Sequence, residues 1–201
     1  MDALSRLVDA LRCLPGIGPK SAQRMVFHLL QHHRQRGLHL ASCLEEAMQT
    51  ITNCERCNNY TSQAQCVICD QLDRDATMLC VVEGPTDVAA IEQSTAYRGH
   101  YYVLMGRISP LDGIGPGDIG LDRLTRHIVH AGIQEVILAL SPTIEGQTTI
   151  HFIQELLRPH PVRISRLAHG IPSGGELAFL DSNTIGSALR NREILEKNDV
   201  C

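Results

Sequence analysis

Cys54-Glu-Arg-Cys57 and, eight residues on, Cys66-Val-Ile-Cys69 divide this chain into two stretches with different hydrophobic patterns. A two-residue spacer lets both thiolates of a pair reach one ion at the tip of a tight turn. Two such pairs supply the four soft ligands of a closed tetrahedral Zn²⁺ site. The residues between them, rich in Asn, Thr and Gln, cannot build a core, so Cys54, Cys57, Cys66 and Cys69 read as zinc ligands rather than disulfide partners. Four sulfurs leave no open coordination position, which makes the expected role structural.

On the N-terminal side, Leu4, Leu7, Val8 and Leu11 share one helical face over residues 2–12. A second helix is expected over Ser21–Arg34, with Gly37 as its end. Ser42, with Glu45 three residues on, reads as the capping box of a third helix reaching Asn53. Between the first two lies Leu14-Pro-Gly16-Ile-Gly18-Pro-Lys20-Ser-Ala22. Gly16 and Gly18 let the backbone turn sharply and expose amide N–H groups. Pro19 and Ser21 open a helix whose N-terminus carries partial positive charge. With the full charges of Lys20 and Arg24 one turn apart, these groups make a phosphate site. The run resembles a helix–hairpin–helix motif, a non-specific DNA-backbone binder; such contacts position DNA without reading sequence. A P-loop is excluded because Pro19 separates Gly18 from Lys20 and a helix precedes it. An ordinary interhelical turn explains the glycines but not the clustered charge. Residues 1–40 carry +4 and residues 41–201 carry −8, which localises a polyanion contact to the N-terminus.

On the C-terminal side the period changes. Met78–Glu83, Tyr101–Met105, Glu135–Leu140 and Val162–Leu167 read as strands, and Asp87–Gln93, Asp118–Ala131 and Gly146–Leu157 as helices. The alternation implies a parallel sheet with right-handed crossovers. A Gly-rich turn over 169–176 and a last helix over Asn183–Lys197 complete the tail. Val81-Val-Glu83-Gly-Pro-Thr-Asp87 puts a carboxylate at the carboxyl end of the first strand, where open parallel sheets bind ligands. Ser141-Pro-Thr-Ile-Glu145-Gly-Gln147 ends the third strand in the same region. Glu83, Asp87 and Glu145 are therefore expected to face a common crevice whose oxygens suit Mg²⁺. The E-G-x-x-D signature resembles the Toprim fold of primases, topoisomerases and related nucleases, which add a D-x-D after a later strand. Here that element has one acidic position, so a weak single-ion or vestigial Mg²⁺ site is expected, with solvated loop charges as the alternative. Gly115-Pro-Gly117-Asp-Ile-Gly120 spells G-x-G-x-x-G without directly following a strand. It reads as a rigid Gly/Pro loop beside the crevice, not as a dinucleotide site.

At 201 residues and 43% hydrophobic the chain can pack a core, but with 3% aromatics and no Trp that core must be aliphatic. Asp2, Arg6, Asp9 and Arg12 interrupt any signal peptide, and no run approaches the roughly 20 apolar residues of a membrane span. Cys13, Cys43, Cys80 and Cys201, outside the zinc set, fit a reducing cytoplasm. The expected fold is a multi-part α/β chain. Its parts are a helix–hairpin–helix region (1–53), a four-cysteine zinc finger (54–77), a Toprim-like parallel α/β sheet (78–168) and a C-terminal helical tail (169–201) that completes the fold or the oligomer.

LPGIGPKSAQRMVFHLL (14–30), the four cysteines, VVEGPTDVAAIE (81–92), ISPLDGIGP (108–116), PTIEG (142–146), and RLAHGIP (166–172) followed by GGEL (174–177) stand in an order that resembles the bacterial recombination mediator family RecR. The similarity covers nearly the whole chain. It implies a DNA-repair scaffold, not a catalyst, working in the cytoplasm at the nucleoid. Such proteins form dimers and ring-like tetramers that can surround DNA, bind RecO and in many bacteria RecF, and help load RecA onto gapped or single-stranded DNA. It implies DNA contact by Lys20 and Arg24, zinc ligation by the four cysteines, and partner contact by the acidic cluster Glu83, Asp87 and Glu145. A monomer with a radius of gyration of about 16–17 Å cannot enclose a duplex, so encirclement requires a closed oligomer. The family commonly has Asn at position 141, an acidic residue at 147 and a Gly-Gly pair at 105–106. Ser141, Gln147 and Met105-Gly106 stand there in this chain, which weakens the case for a crevice metal. Two other functions compete: a Mg²⁺-dependent Toprim nuclease, and a zinc-stapled protein-interaction module with no DNA role.

Overall fold

The computed structural model describes residues 2–168, 171 and 179–190. The chain divides into two compact units, Met1–Thr52 and Asn53–Cys201.

The first unit is helical. In α1 (Ala3–Leu11) the Asp2 carboxylate accepts the Ser5 amide at 2.7 Å and caps the N-terminus. α2 (Pro19–His32) opens with proline, whose missing N–H costs nothing in a first turn. α3 (Arg34–Thr50) departs from the sequence expectation. It begins just past His33 and runs through Gly37, so Ser42 and Glu45 lie in its interior and form no capping box. Glycine costs a helix interior about 1 kcal/mol, which is why it signals an end. Here packing prevails: position 37 faces Leu29 of α2, and a methyl placed there would sit at an ordinary 3.8 Å from the Leu29 Cβ.

At the boundary between the units stands a two-stranded ribbon, β1 (Thr52–Asn53) with β2 (Tyr60–Thr61), whose connection carries the first cysteine pair. The second unit's main sheet is wholly parallel, in the order β4-β3-β5-β6, from β3 (Asp75–Val82), β4 (Gly99–Val103), β5 (Glu135–Ala139) and β6 (Arg163–Arg166). α4 (Pro85–Ser94), α5 (Leu121–Ala131) and α6 (Ile144–Leu157) connect the strands, and α7 (Ser182–Arg190) follows. β3 starts at Asp75 rather than Met78. Asp75 pairs with Gly99 across a register irregularity, so its polar first residues belong to the ladder although they carry no apolar signal.

β3 is central, and its apolar run is continuous because both faces are covered. Leu79 and Val81 pack with Leu121, Leu124 and Ile128 of α5 and Ile150, Ile153 and Leu157 of α6. Cys80 and Val82 face the other way, with Tyr101 and Val103, under Val88 and Ile91 of α4. Each large aliphatic side chain so buried contributes roughly 1.5–3 kcal/mol. Gly146 fixes where α6 starts, since a methyl there would overlap the Ser141 carbonyl oxygen at the end of β5.

The Gly/Pro loop after β4 closes on itself. Ser109 bridges Ile114, and the Asp118 carboxylate accepts the Gly115 amide at 2.8 Å, placing a negative charge where a dinucleotide phosphate would need to lie. The expected turn over 169–176 lies outside the described residues apart from Ile171, as does the last helix beyond residue 190. Among the described residues, no helix is long and apolar enough to cross a membrane.

Candidate functional site

The four cysteines are buried, and their sulfurs lie within 4.8 Å of one another, with Cys57 and Cys66 3.5 Å apart. A tetrahedron with metal–sulfur bonds of about 2.3 Å has edges of about 3.8 Å, so the cluster needs only small adjustments around an ion. The first turn closes through the Asn58 amide on the Cys54 carbonyl at 2.9 Å, with Asn58 in the left-handed region at φ 64°. Asparagine tolerates that conformation better than most residues. The Cys66 amide donates to the Cys54 sulfur at 3.3 Å. Cys57 is drawn down to about 6, first by the hydrogen bond with Cys69. Cys69 is pushed up by that same bond, then by burial and the Cys57 charge, and Cys66 is raised by burial. Sulfurs this close cannot all ionise without a cation among them. The donor set therefore fits a soft divalent ion such as zinc, and it leaves no position for a reacting water.

This module is tied to the sheet. The Cys57 carbonyl accepts the Val103 amide at 2.8 Å, and the Asn58 side chain donates to the Val103 carbonyl at 2.7 Å. Beyond the second cysteine pair, the buried Arg74 guanidinium pairs with Glu92 of α4 and donates to the Gly99 carbonyl at 2.9 Å. Tyr101 donates its hydroxyl to the same Glu92 at 2.6 Å.

The hairpin between α1 and α2 turns at Gly16, in the left-handed region at φ +78° with nothing packed on it. Gly18 is the N-cap of α2, and no side chain caps that end. The first-turn amides of a helix have no intrahelical acceptor, so here they face outward beside Lys20. Lys20, Gln23, Arg24, Phe27, His28 and His32 line a shallow groove of about 420 Å³ along α2. Lys20, Arg24, His28 and His32 recur every fourth residue and so form one stripe. The sequence reading placed Lys20 and Arg24 together but missed that His28 and His32 extend the same face. The four-residue spacing carried that signal.

The acidic residues are brought together only in part. Glu83 and Asp87 line a crevice of about 400 Å³ with Tyr60, Thr86, Met105 and Gly106; Glu145 does not line it. Glu83 Oε1 accepts the Ser141 amide at 2.7 Å, and Oε2 pairs with Arg107 at 3.3 Å. Asp87 accepts the Gly84 amide at 2.9 Å, as an α4 cap. Both carboxylates thus serve the fold, stitching β3 to the end of β5 and holding the start of α4; a hydrogen bond to a charged group is worth about 1.5–3 kcal/mol. The cysteine cluster is the only group of three or more His, Cys, Asp or Glu in metal-holding geometry among the described residues. Of the three expected crevice carboxylates, Glu83 and Asp87 share this lining and already hold backbone amides or Arg107. Met105, on its rim, adopts φ 59°, a conformation suited to the glycine that the RecR resemblance places there.

Comparison with known proteins agrees with this geometry. A family model described as RecR, helix-hairpin-helix, matches residues 4–48; a Toprim domain model matches 77–168; and a model described as RecR, C-terminal, matches 170–193. The chain is 69% identical over 195 residues to the proteins named Recombination protein RecR of Legionella pneumophila strains Corby, Lens and Paris, covering 97% of this chain and 99% of each relative. The helix–hairpin–helix unit, the four-cysteine metal-binding cluster and the parallel Toprim sheet are parts of one such protein: the chain belongs to the RecR family of recombination proteins.

Proposed function

We propose that the protein is a recombination mediator that clamps gapped, single- or double-stranded DNA by its backbone, regardless of sequence. In this reading it acts with RecO, and with RecF where present, to help load RecA in the cytoplasm at the nucleoid. The observation that carries the proposal is the pairing of Lys20 and Arg24 with the uncapped N-terminus of α2 behind Gly16 and Gly18. The cluster of Cys54, Cys57, Cys66 and Cys69 holds Zn²⁺ in a structural role.

Self-association is the second part of the proposal. In the helical unit, Leu7, Leu11, Leu29, Leu30, Leu38 and Leu44 line an apolar groove of about 390 Å³. A second copy of the chain is its proposed occupant, giving a dimer or a ring-like tetramer. The protein performs no catalysis. Supporting this, the oxygens of Glu83 and Asp87 already serve backbone amides and Arg107. Glu83, Asp87 and Glu145 instead take part in partner contact.

The test is salt titration of binding to a gapped duplex. Each phosphate neutralised by a cation contributes about 0.9 to the log–log salt slope. Lys20→Ala with Arg24→Ala should therefore weaken binding across sequences and flatten that slope by about 1.8. Unchanged affinity and slope would overturn the assignment.

A further inference from the structure

Cations gather at a second place, within the sheet unit. Arg56, from inside the first cysteine pair, and Arg123, Arg126, His127 and His130 of α5 line a concavity of about 420 Å³ together with Glu55. The zinc module's own backbone orients two of them. Arg123 donates to the Glu55 carbonyl at 2.8 Å and the Cys54 carbonyl at 3.4 Å, and Arg56 donates to the Cys69 carbonyl at 3.3 Å. None of the three guanidiniums is neutralised: the ion pairs among the described residues use Arg12, Arg74, Arg107, Arg158 and Arg163. Three full positive charges therefore face the single carboxylate of Glu55. His100 of β4 is only 4% exposed, its Nδ1 has no hydrogen-bond partner among the described residues, and its pKa is lowered first by burial and then by Arg56, Arg74 and His127.

We propose that this face is a second DNA-backbone site, distinct from the hairpin, that holds phosphates of one strand. The inference rests on the DNA-clamp reading. Guanidinium is the side chain best matched to phosphate, through its planar fork of donors. From Arg123 to His130 the stripe runs two helical turns, or roughly 10 Å. That is the axial rise of about three phosphates along one strand. No aliphatic residue, Phe, Tyr or Trp lines the concavity, and peptide interfaces depend on such anchors.

Arg126 is the residue to change, since among the described residues its guanidinium donates only to the Asp122 carbonyl of its own helix, at 3.3 Å. The full-length protein is titrated with a labelled gapped duplex across salt concentrations, with zinc content and melting temperature as controls. Arg126→Glu should bind about tenfold more weakly, with the salt slope shallower by about 1. Arg126→Ala should show a smaller loss, and Arg126→Lys should restore most of the affinity. Wild-type affinity and slope in Arg126→Glu overturn the proposal, and would be the outcome if the patch served an acidic protein instead. Weaker binding with an unchanged slope overturns it as well. In either case the clamp reading stands if Lys20→Ala with Arg24→Ala still binds DNA poorly, whereas a wild-type protein that ignores DNA overturns both.

Discussion

β3 alone contributes Leu79, Cys80, Val81 and Val82 to two buried clusters, one under α4 and one under α5 and α6, whereas in the helical unit only Ala22 and Val26 are buried among the described residues. Leu38, Leu44 and Met48 of α3 are 65%, 53% and 77% exposed. The sheet unit completes its own core. The helical unit spends its apolar stripes on a surface, and a chain segment of this length rarely supplies more than about 3–5 kcal/mol of core by itself. In the proposed assembly, the unit that carries the Lys20–Arg24 stripe is the one with most to gain from a second copy, which would link DNA contact to self-association.

The largest effect should come from the four-cysteine cluster, whose proposed zinc would supply the sheet unit's polar module with folding energy. Zinc binding to such modules is worth about 10–16 kcal/mol at neutral pH, and that energy is folding energy. Cys57→Ser with Cys66→Ser should give a zinc-free protein with a lower melting temperature and impaired assembly, measured by metal analysis and sedimentation. A well-folded, fully assembled double variant would break the comparison at its base. Next, equivalent truncations in the two units should diverge. Leu138→Ala, in the sheet core, should cost about 2–5 kcal/mol in denaturant unfolding. Leu44→Ala should leave the monomer's stability within about 0.5 kcal/mol, yet weaken self-association.

A smaller effect concerns the Arg74–Glu92–Tyr101 network. Glu92 is held below its ordinary value of 4.5, first by the Arg74 hydrogen bond and then by the Tyr101 hydroxyl. A depressed carboxylate stabilises the fold in full above its unfolded value, and that contribution is lost as pH falls through the folded value. Glu92→Gln should therefore cost about 1–3 kcal/mol at neutral pH and flatten the acid limb of a melting-temperature profile. The smallest effect should be a gain. Gly37→Ala, in the interior of α3 with room for a methyl, should stabilise the helical unit by about 0.5–1 kcal/mol.

What could be read from the chain, and what could not, divides along physical lines. The cysteine cluster was legible because two-residue spacers are a local geometric constraint, and the sheet because a continuous apolar run such as Met78–Val82 has few other readings. The start of α3 was not. Gly37 and the pair Ser42–Glu45 are strong local signals, yet α3 runs through all three, with position 37 beside Leu29 of α2. The fate of Glu83 was hidden for a similar reason, since its partner is a main-chain amide 58 positions away, at Ser141. Arg123 and Glu55 are 68 positions apart, so the cationic face they share has no signature in sequence and exists only once α5 meets the cysteine module.

The central claim is that phosphate capture by the hairpin is multiplied by self-association. Sedimentation velocity of the full chain, alone and with a gapped duplex, addresses both halves at once. The account predicts species of at least two 22.2 kDa protomers that sediment together with the DNA at low salt. A single protomer at every concentration, moving apart from the gapped duplex even in dilute buffer, would contradict it.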